Sequence, residues 1–231
     1  MVNFTIKVIS DTICPFCFVG KRRLEKAIDV YKKTVPGGAD DTFTVTWHPF
    51  YLDPTLPKTA TPSTEHVIRK FGADRVPMLH ARLAATGKGE GINFTFSGML
   101  GNTRDSHRLL QLAKTKGSER QNQVVEAVFK SYFEQGGDIT SFDMLTKAAE
   151  VGGLDPKEAR EWLETGKGGA EVDVEVDNAY RKGISGVPHF VINDKYEIGG
   201  AQEVPAFLEQ FSRAKKSAGG AAPATDSSLR C

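Results

Sequence analysis

From Asn3 to Ser10, Phe4, Ile6 and Val8 alternate with Thr5 and Lys7, the period-two pattern of a half-buried strand, and Ile9 extends burial toward the second face. Ser10 and Asp11 end it as turn residues. Beyond them Gly20, Leu24, Ala27, Ile28 and Tyr31 recur at helical spacing while Lys21, Arg22, Arg23, Glu25 and Lys26 cover the other face, until Pro36, Gly37 and Gly38 stop the run. Thr42 to His48 alternates again, with Phe43, Val45 and Trp47 on one side. Strand, helix and strand in this order predict a parallel pair joined by a crossover.

From Pro49 the character changes, with Pro54, Pro57 and Pro62 punctuating a loop before a succession of helical patterns. Ser63 is placed to cap a helix holding Val67, Ile68 and Phe71, and a second runs through Val76, Leu79 and Leu83. Ile92, Phe94 and Phe96 alternate briefly and predict an extended segment. Asn102 with Asp105 resembles a capped helix start leading into Leu109, Leu110 and Ala113; Val125, Val128, Phe129, Tyr132 and Phe133 form the next apolar stripe. Thr140 with Asp143, and Asp155 with Pro156 and Glu158, open two more helices, and Val172, Val176 and Tyr180 mark a connecting helix ended by Gly183. About five or six helices in this stretch predict an inserted helical domain.

The period-two pattern returns late. Pro188 to Asn193, the turn at Asn193 and Asp194, and Lys195 to Gly199 read as an antiparallel hairpin. Val204, Phe207, Leu208 and Phe211 face one side of a closing helix with Pro205 in its first turn. Residues 217–231, rich in Ala, Gly and Ser, read as a disordered tail ending in Cys231.

Bulk composition narrows the chemistry. With 231 residues and 39% hydrophobic residues the chain can bury a core without staples. Thirty basic and 29 acidic residues give a net charge of +1 with no block of one sign, which argues against nucleic acid or a membrane surface as partner. No apolar run reaches the ~20 residues of a membrane span, and the N-terminus lacks the pattern of a signal peptide. A cytoplasmic location is the expectation. Three cysteines do not make a disulfide framework, but Cys14 and Cys17 form a CxxC, which in a reducing compartment points to redox or metal chemistry.

Zinc in structural sites takes four ligands, and neither a second CxxC nor a suitably spaced histidine pair accompanies this one; His48, His66, His80 and His189 show no ligand spacing. No metal is expected. Two inert core thiols are the bland alternative. Redox chemistry needs a thiolate, and a cysteine at a helix start meets unpaired N–H groups and the positive end of the helix dipole. Cys14 falls there, with Pro15 in the first turn and Cys17 one turn further in, placed to resolve a mixed disulfide. Phe16 between them is suited to shape access and redox poise, or simply to pack. Asp11 is a turn residue close enough to tune a thiol or pass a proton.

The stretches SDTICPFCFVGKRRLE, GNTRDSHRLLQLA, GISGVPHFVIN and EIGGAQ resemble the DsbA-like thioredoxin-fold proteins, specifically the FrnE-type branch that also includes 2-hydroxychromene-2-carboxylate isomerases and kappa-class glutathione transferases. The resemblance implies an α/β, thioredoxin-like fold, a mixed sheet flanked by helices, with an inserted all-helical domain. Residues 1–53 and 171–216 would form the thioredoxin-like part and 54–170 the insertion. It also implies a cis peptide at Val187–Pro188 beside the CxxC, where an extended substrate could pair with Val187, and Gly183 and Gly186 would permit the close approach. Asn102 and His107 match a motif that faces the active site in this branch, although a cap explains Asn102 and a surface position His107 equally well.

Three functions follow. The first is a disulfide oxidoreductase acting on protein or small-molecule thiols and disulfides, requiring no cofactor, with glutathione as a conceivable co-substrate. The isomerase and transferase branch commonly carries serine at the first redox position, whereas Cys14 and Cys17 are both present. The second is a glutathione-dependent transferase or isomerase, and the third a non-catalytic peptide-binding or holdase-like module. Direction of electron flow, and whether the chain is a monomer or a homodimer, stay open.

Overall fold

The computed structural model describes residues 1–219. Strand β1 (Asn3–Ser10) lies at the centre of a four-stranded sheet of order β2-β1-β5-β6. β2 (Thr42–Pro49) pairs with it in parallel, from Asn3 opposite Thr42 to Ser10 opposite Pro49, as the α1 crossover (Pro15–Thr34) requires. β5 (His189–Ile192) pairs antiparallel on the other side, Ile6 opposite Ile192 and Ile9 opposite His189, and turns back into β6 (Tyr196–Gly199). Asn193 and Asp194 both carry positive φ, 51° and 54°, the geometry of a tight two-residue hairpin turn. This is the mixed, helix-flanked sheet of a thioredoxin-like fold.

Between β2 and β5 run α2 (Ser63–Phe71), α3 (Val76–Gly89), α4 (Arg104–Thr115), α5 (Ser118–Phe129, continued by a π-helical turn at Lys130–Glu134), α6 (Phe142–Val151), α7 (Pro156–Glu164) and α8 (Gly169–Arg181). One continuous apolar core joins α4, α5, α6 and α7 to the sheet, and Ala179 of α8 packs with Ile9 and Phe50 in a second, smaller cluster. Phe18 of α1 stacks on Phe129 at 5.2 Å between ring centroids, and Trp47 of β2 meets the same ring edge-on at 6.0 Å. The closing helix α9 (Val204–Gly219) packs Phe207 and Phe211 under the sheet.

Several local expectations shift. The extended segment expected over Ile92, Phe94 and Phe96 pairs with no strand and breaks at its end: the Thr95 N–H is spent on the Phe133 carbonyl, and Phe96 takes a positive φ of 57°. Three residues further on, β4 (Met99–Leu100) pairs with β3 (Thr61–Pro62). Ser141, not Thr140, caps α6, because the Thr140 hydroxyl donates to Asp138 while Ser141 accepts from the Met144 N–H. Ser63 lies inside α2 and donates to the Phe96 carbonyl, and Pro62 holds the cap position. α9 runs through Gly219, so the tail expected from 217 begins inside a helix, and Cys231 falls outside the described residues.

Two features hold α1 in place. Glu126 of α5 takes Lys21 at 2.9 Å and Arg22 at 3.0 Å, and although burial opposes its charge, Lys21 and Arg22 hold its carboxyl down at about 2. At the other side, a Cβ on Gly20 would lie 2.9 Å from Pro188 Cγ and 3.0 Å from Phe190 Cζ, so the helix approaches β5 as closely as it does only because residue 20 has no side chain.

Two outcomes are expected. Gly20→Ala overpacks this contact and lowers unfolding stability by about 1–3 kcal/mol, measured by urea denaturation. Because the folded pKa of Glu126 lies below the ordinary 4.5, its contribution is complete above pH 4.5 and is lost as pH falls toward 2. Glu126→Gln therefore flattens the fall in stability across that window, measured by urea midpoints at stepped pH.

Candidate active site

Cys14 occupies the cap position of α1 with extended backbone (φ −87°, ψ 111°), and Pro15 fills the first turn, where a missing N–H costs nothing. Its own N–H donates to the Asp11 carbonyl at 3.1 Å, and its carbonyl accepts from the Cys17 N–H at 3.0 Å, so the CxxC is a turn feeding directly into the helix. The Cys14 thiol lies 3.5 Å from the Val187 carbonyl oxygen, and Val187–Pro188 is cis. Sequence positions 14 and 187 are thus in contact. Cys14 is 4% exposed and Cys17 0%, and both are free thiols.

Cys17 is the more deeply buried of the two sulfurs. Burial pushes the Cys17 thiol well above the usual cysteine range, and the neighbouring Cys14 pushes it further; a bond from Ser10 and one from the Asp11 backbone act in the opposite direction. Cys17 is therefore held as a protonated, sheltered thiol.

Asp11 and His107, separate candidates in the sequence, meet beneath this turn. Asp11 is fully buried, with one carboxylate oxygen accepting from the Leu52 N–H at 2.8 Å. The other has no hydrogen-bond partner and lies 3.4 Å from His107 Nε2, which is itself 3.2 Å from the Phe50 carbonyl. His107 is buried rather than on the surface. Asn102 is not part of this group. Its carboxamide oxygen accepts from the Arg104 N–H and its nitrogen reaches the Leu56 carbonyl at 3.4 Å, while Thr103 holds the cap position it was expected to fill.

Sequence reading missed three neighbours. Thr12 and Ser106 share a buried hydroxyl contact of 2.7 Å, and Tyr51 places its ring 5.8 Å from His107 with its hydroxyl buried and unpartnered. None stands in a recognisable pattern; only the contact of distant segments reveals them. The glycine expectation also moves. Nothing lies within 4 Å of a Cβ built on Gly183 or Gly186, and Gly183 instead supplies the positive φ of 77° that ends α8; the close approach is at Gly20.

Two cavities adjoin the segments that meet at Cys14. One of about 720 Å³ is lined by Ile13, Pro15 and Phe16 on one side and by side chains of α2, α3 and the 94–100 stretch on the other; Phe16, 51% exposed, forms its lip. The second, about 470 Å³, lies along Gly183–Val187, with His189 paired to Glu197 at 3.2 Å on its wall. Among the described residues no cluster of three His, Cys, Asp or Glu could hold a metal, and no helix is long and apolar enough to cross a membrane.

The sequence profile of the DSBA-like thioredoxin domain matches residues 5–212. The chain belongs to the DsbA-like thioredoxin family. This DsbA-like chain is 31% identical over 214 residues to YwbO of Bacillus subtilis, an uncharacterized protein, covering 91% of this chain and 97% of that one. A probable DsbA oxidoreductase from Streptomyces coelicolor superposes with a TM-score of 0.81 at 28% identity, covering 99% and 93% of the two chains. 2-Hydroxychromene-2-carboxylate isomerase shares the fold at 16% identity and a TM-score of 0.67, over 93% of this chain and 98% of that one. So does the cytosolic disulfide reductase DsbM of Pseudomonas aeruginosa, solved with GSH, at 16% identity and a TM-score of 0.58, over 90% and 99%. The family is one of thiol–disulfide oxidoreductases.

The asymmetry of the thiols has a direct readout. On treatment of the reduced DsbA-like protein with iodoacetamide at neutral pH, Cys14 is alkylated first and Cys17 stays unmodified while the fold is intact, measured by peptide mass mapping.

Proposed function

We propose that the protein exchanges disulfides with its substrate through Cys14 as nucleophile and Cys17 as resolving thiol. The observation that carries this is the placement of Cys14 at the helix start, against the Val187 carbonyl, with Cys17 sealed behind it. The Cys14 thiolate attacks a substrate disulfide, forming a mixed disulfide and releasing the first substrate sulfur as a thiolate that takes a proton from solvent. Cys17 then loses its proton and attacks Cys14 Sγ; the mixed disulfide breaks, the second substrate sulfur leaves, and a Cys14–Cys17 disulfide remains. Run backwards, the same steps oxidise a substrate dithiol.

The raised Cys17 thiol keeps the resting pair from spending both sulfurs at once. Val187, adjoining Cys14, suits pairing with an extended substrate backbone. Asp11 and His107, joined below the turn, are suited to position the loop and to exchange a proton with it. Glutathione is proposed as the thiol that returns the oxidised pair to its dithiol state, and a reducing, cytoplasmic compartment fits a chain whose CxxC is not part of a disulfide framework.

Cys14→Ser abolishes exchange with a model disulfide, whereas Cys17→Ser accumulates a mixed disulfide on Cys14 visible as an adduct by intact-mass spectrometry. Full activity in Cys14→Ser overturns the assignment.

A further inference from the structure

The 720 Å³ cavity shares no lining residue with the cavity along the Val187 ledge. Ile13 and Pro15, the residues on either side of Cys14 in the chain, form part of its wall, so a molecule seated there lies against the turn that carries the nucleophile. Its interior is apolar and aromatic, through Phe71, Leu79, Leu83, Phe96, Leu100 and Phe133. Much of the outer wall is α2 and α3, whose backbone groups are bonded within their own helices, so it offers no strand edge for an extended polypeptide. The volume is that of a small-molecule site.

The charges around its mouth are unbalanced. Arg23 is engaged by Glu90 at 2.7 Å and Glu203 at 2.6 Å, and the carboxylate of Asp53 accepts from the Thr55 N–H and hydroxyl. Lys70 and Arg82 have no carboxylate within 4.0 Å among the described residues, and the Asp53 carboxylate feels Lys70 only at longer range. Burial holds the imidazoles of His66 and His80 toward their neutral forms, which leaves Lys70 and Arg82 as the standing positive charge.

From this juxtaposition of an apolar cavity, two unpaired cations and the residues flanking Cys14, we infer that the preferred substrate is a compact organic disulfide or thiol with an apolar or aromatic body and a carboxylate. This rests on Cys14 being the nucleophile. The apolar body fills the space between Phe16 and α3, the carboxylate lies toward Lys70 and Arg82, and the sulfur meets Cys14 Sγ; the exchange step itself is the one given above, with a small thiolate as leaving group.

The test compares second-order rate constants of the reduced protein, by stopped flow, with three disulfides: 5,5′-dithiobis(2-nitrobenzoate), aromatic and dianionic; 4,4′-dithiodipyridine, aromatic and neutral; and bis(2-hydroxyethyl) disulfide, neither. The variant Lys70→Gln/Arg82→Gln lowers the rate with the dianionic compound about fivefold, the scale of exposed ion pairs, and leaves the other two within about twofold. Leu83→Ser lowers both aromatic compounds relative to bis(2-hydroxyethyl) disulfide, and urea midpoints confirm that each variant is folded. Equal effects of the charge variant on all three, or none on any, overturn the inference while leaving the dithiol mechanism standing. Unchanged reaction of Cys14→Ser with all three overturns the mechanism instead.

Discussion

The closeness of α1 to the start of β5 is the constraint on which the site depends. A helix start can present a thiol, and a strand can present a backbone carbonyl, but the two come together only if the helix is drawn against the strand. Gly20 allows this by contributing no side chain opposite Pro188 and Phe190. The opposite flank of the helix is tied by Lys21 and Arg22 to Glu126. α1 is therefore held between a steric contact on one side and an ionic contact on the other, with Cys14 at its tip.

Where a single face is buried, the pattern of residues carried the fold. β1, β2, α1 and the late hairpin were all legible because each alternates or repeats with one period against one core, and the Asn193–Asp194 turn chemistry admits few geometries. Errors concentrate where two local choices compete. Thr140 and Ser141 are both capping residues, and only the prior commitment of Thr140 to Asp138 decides between them. Phe94 and Phe96 alternate like strand residues, yet both belong to an aromatic cluster, with Phe94 edge-on to Phe133 at 5.5 Å and Phe96 stacked on His80 at 4.0 Å. Spacing along the chain carries no trace of that.

The site was legible in part for the same reason. Cys14 and Cys17 declare themselves by spacing, and Val187 and Pro188 by resemblance. That Asp11 faces His107, or that Gly20 rather than Gly186 accommodates Pro188, depends on contacts between segments far apart in sequence. Reading a glycine beside a proline as the source of room is reasonable locally; the room here is made from the opposite wall.

The walls of the large cavity differ in what they contribute to the molecule. α1 buries Cys17, Phe18, Val19, Leu24, Ala27 and Tyr31, whereas α2 buries no residue and α3 buries only Gly87. Substitutions in α1 therefore fall on the core, whereas those in α2 and α3 fall on partly exposed side chains that line the cavity. A lineage can redraw the outer wall, residue by residue, without passing through unfolded intermediates or disturbing the dithiol. Under the proposed exchange mechanism, substrate range is free to drift faster than the dithiol chemistry.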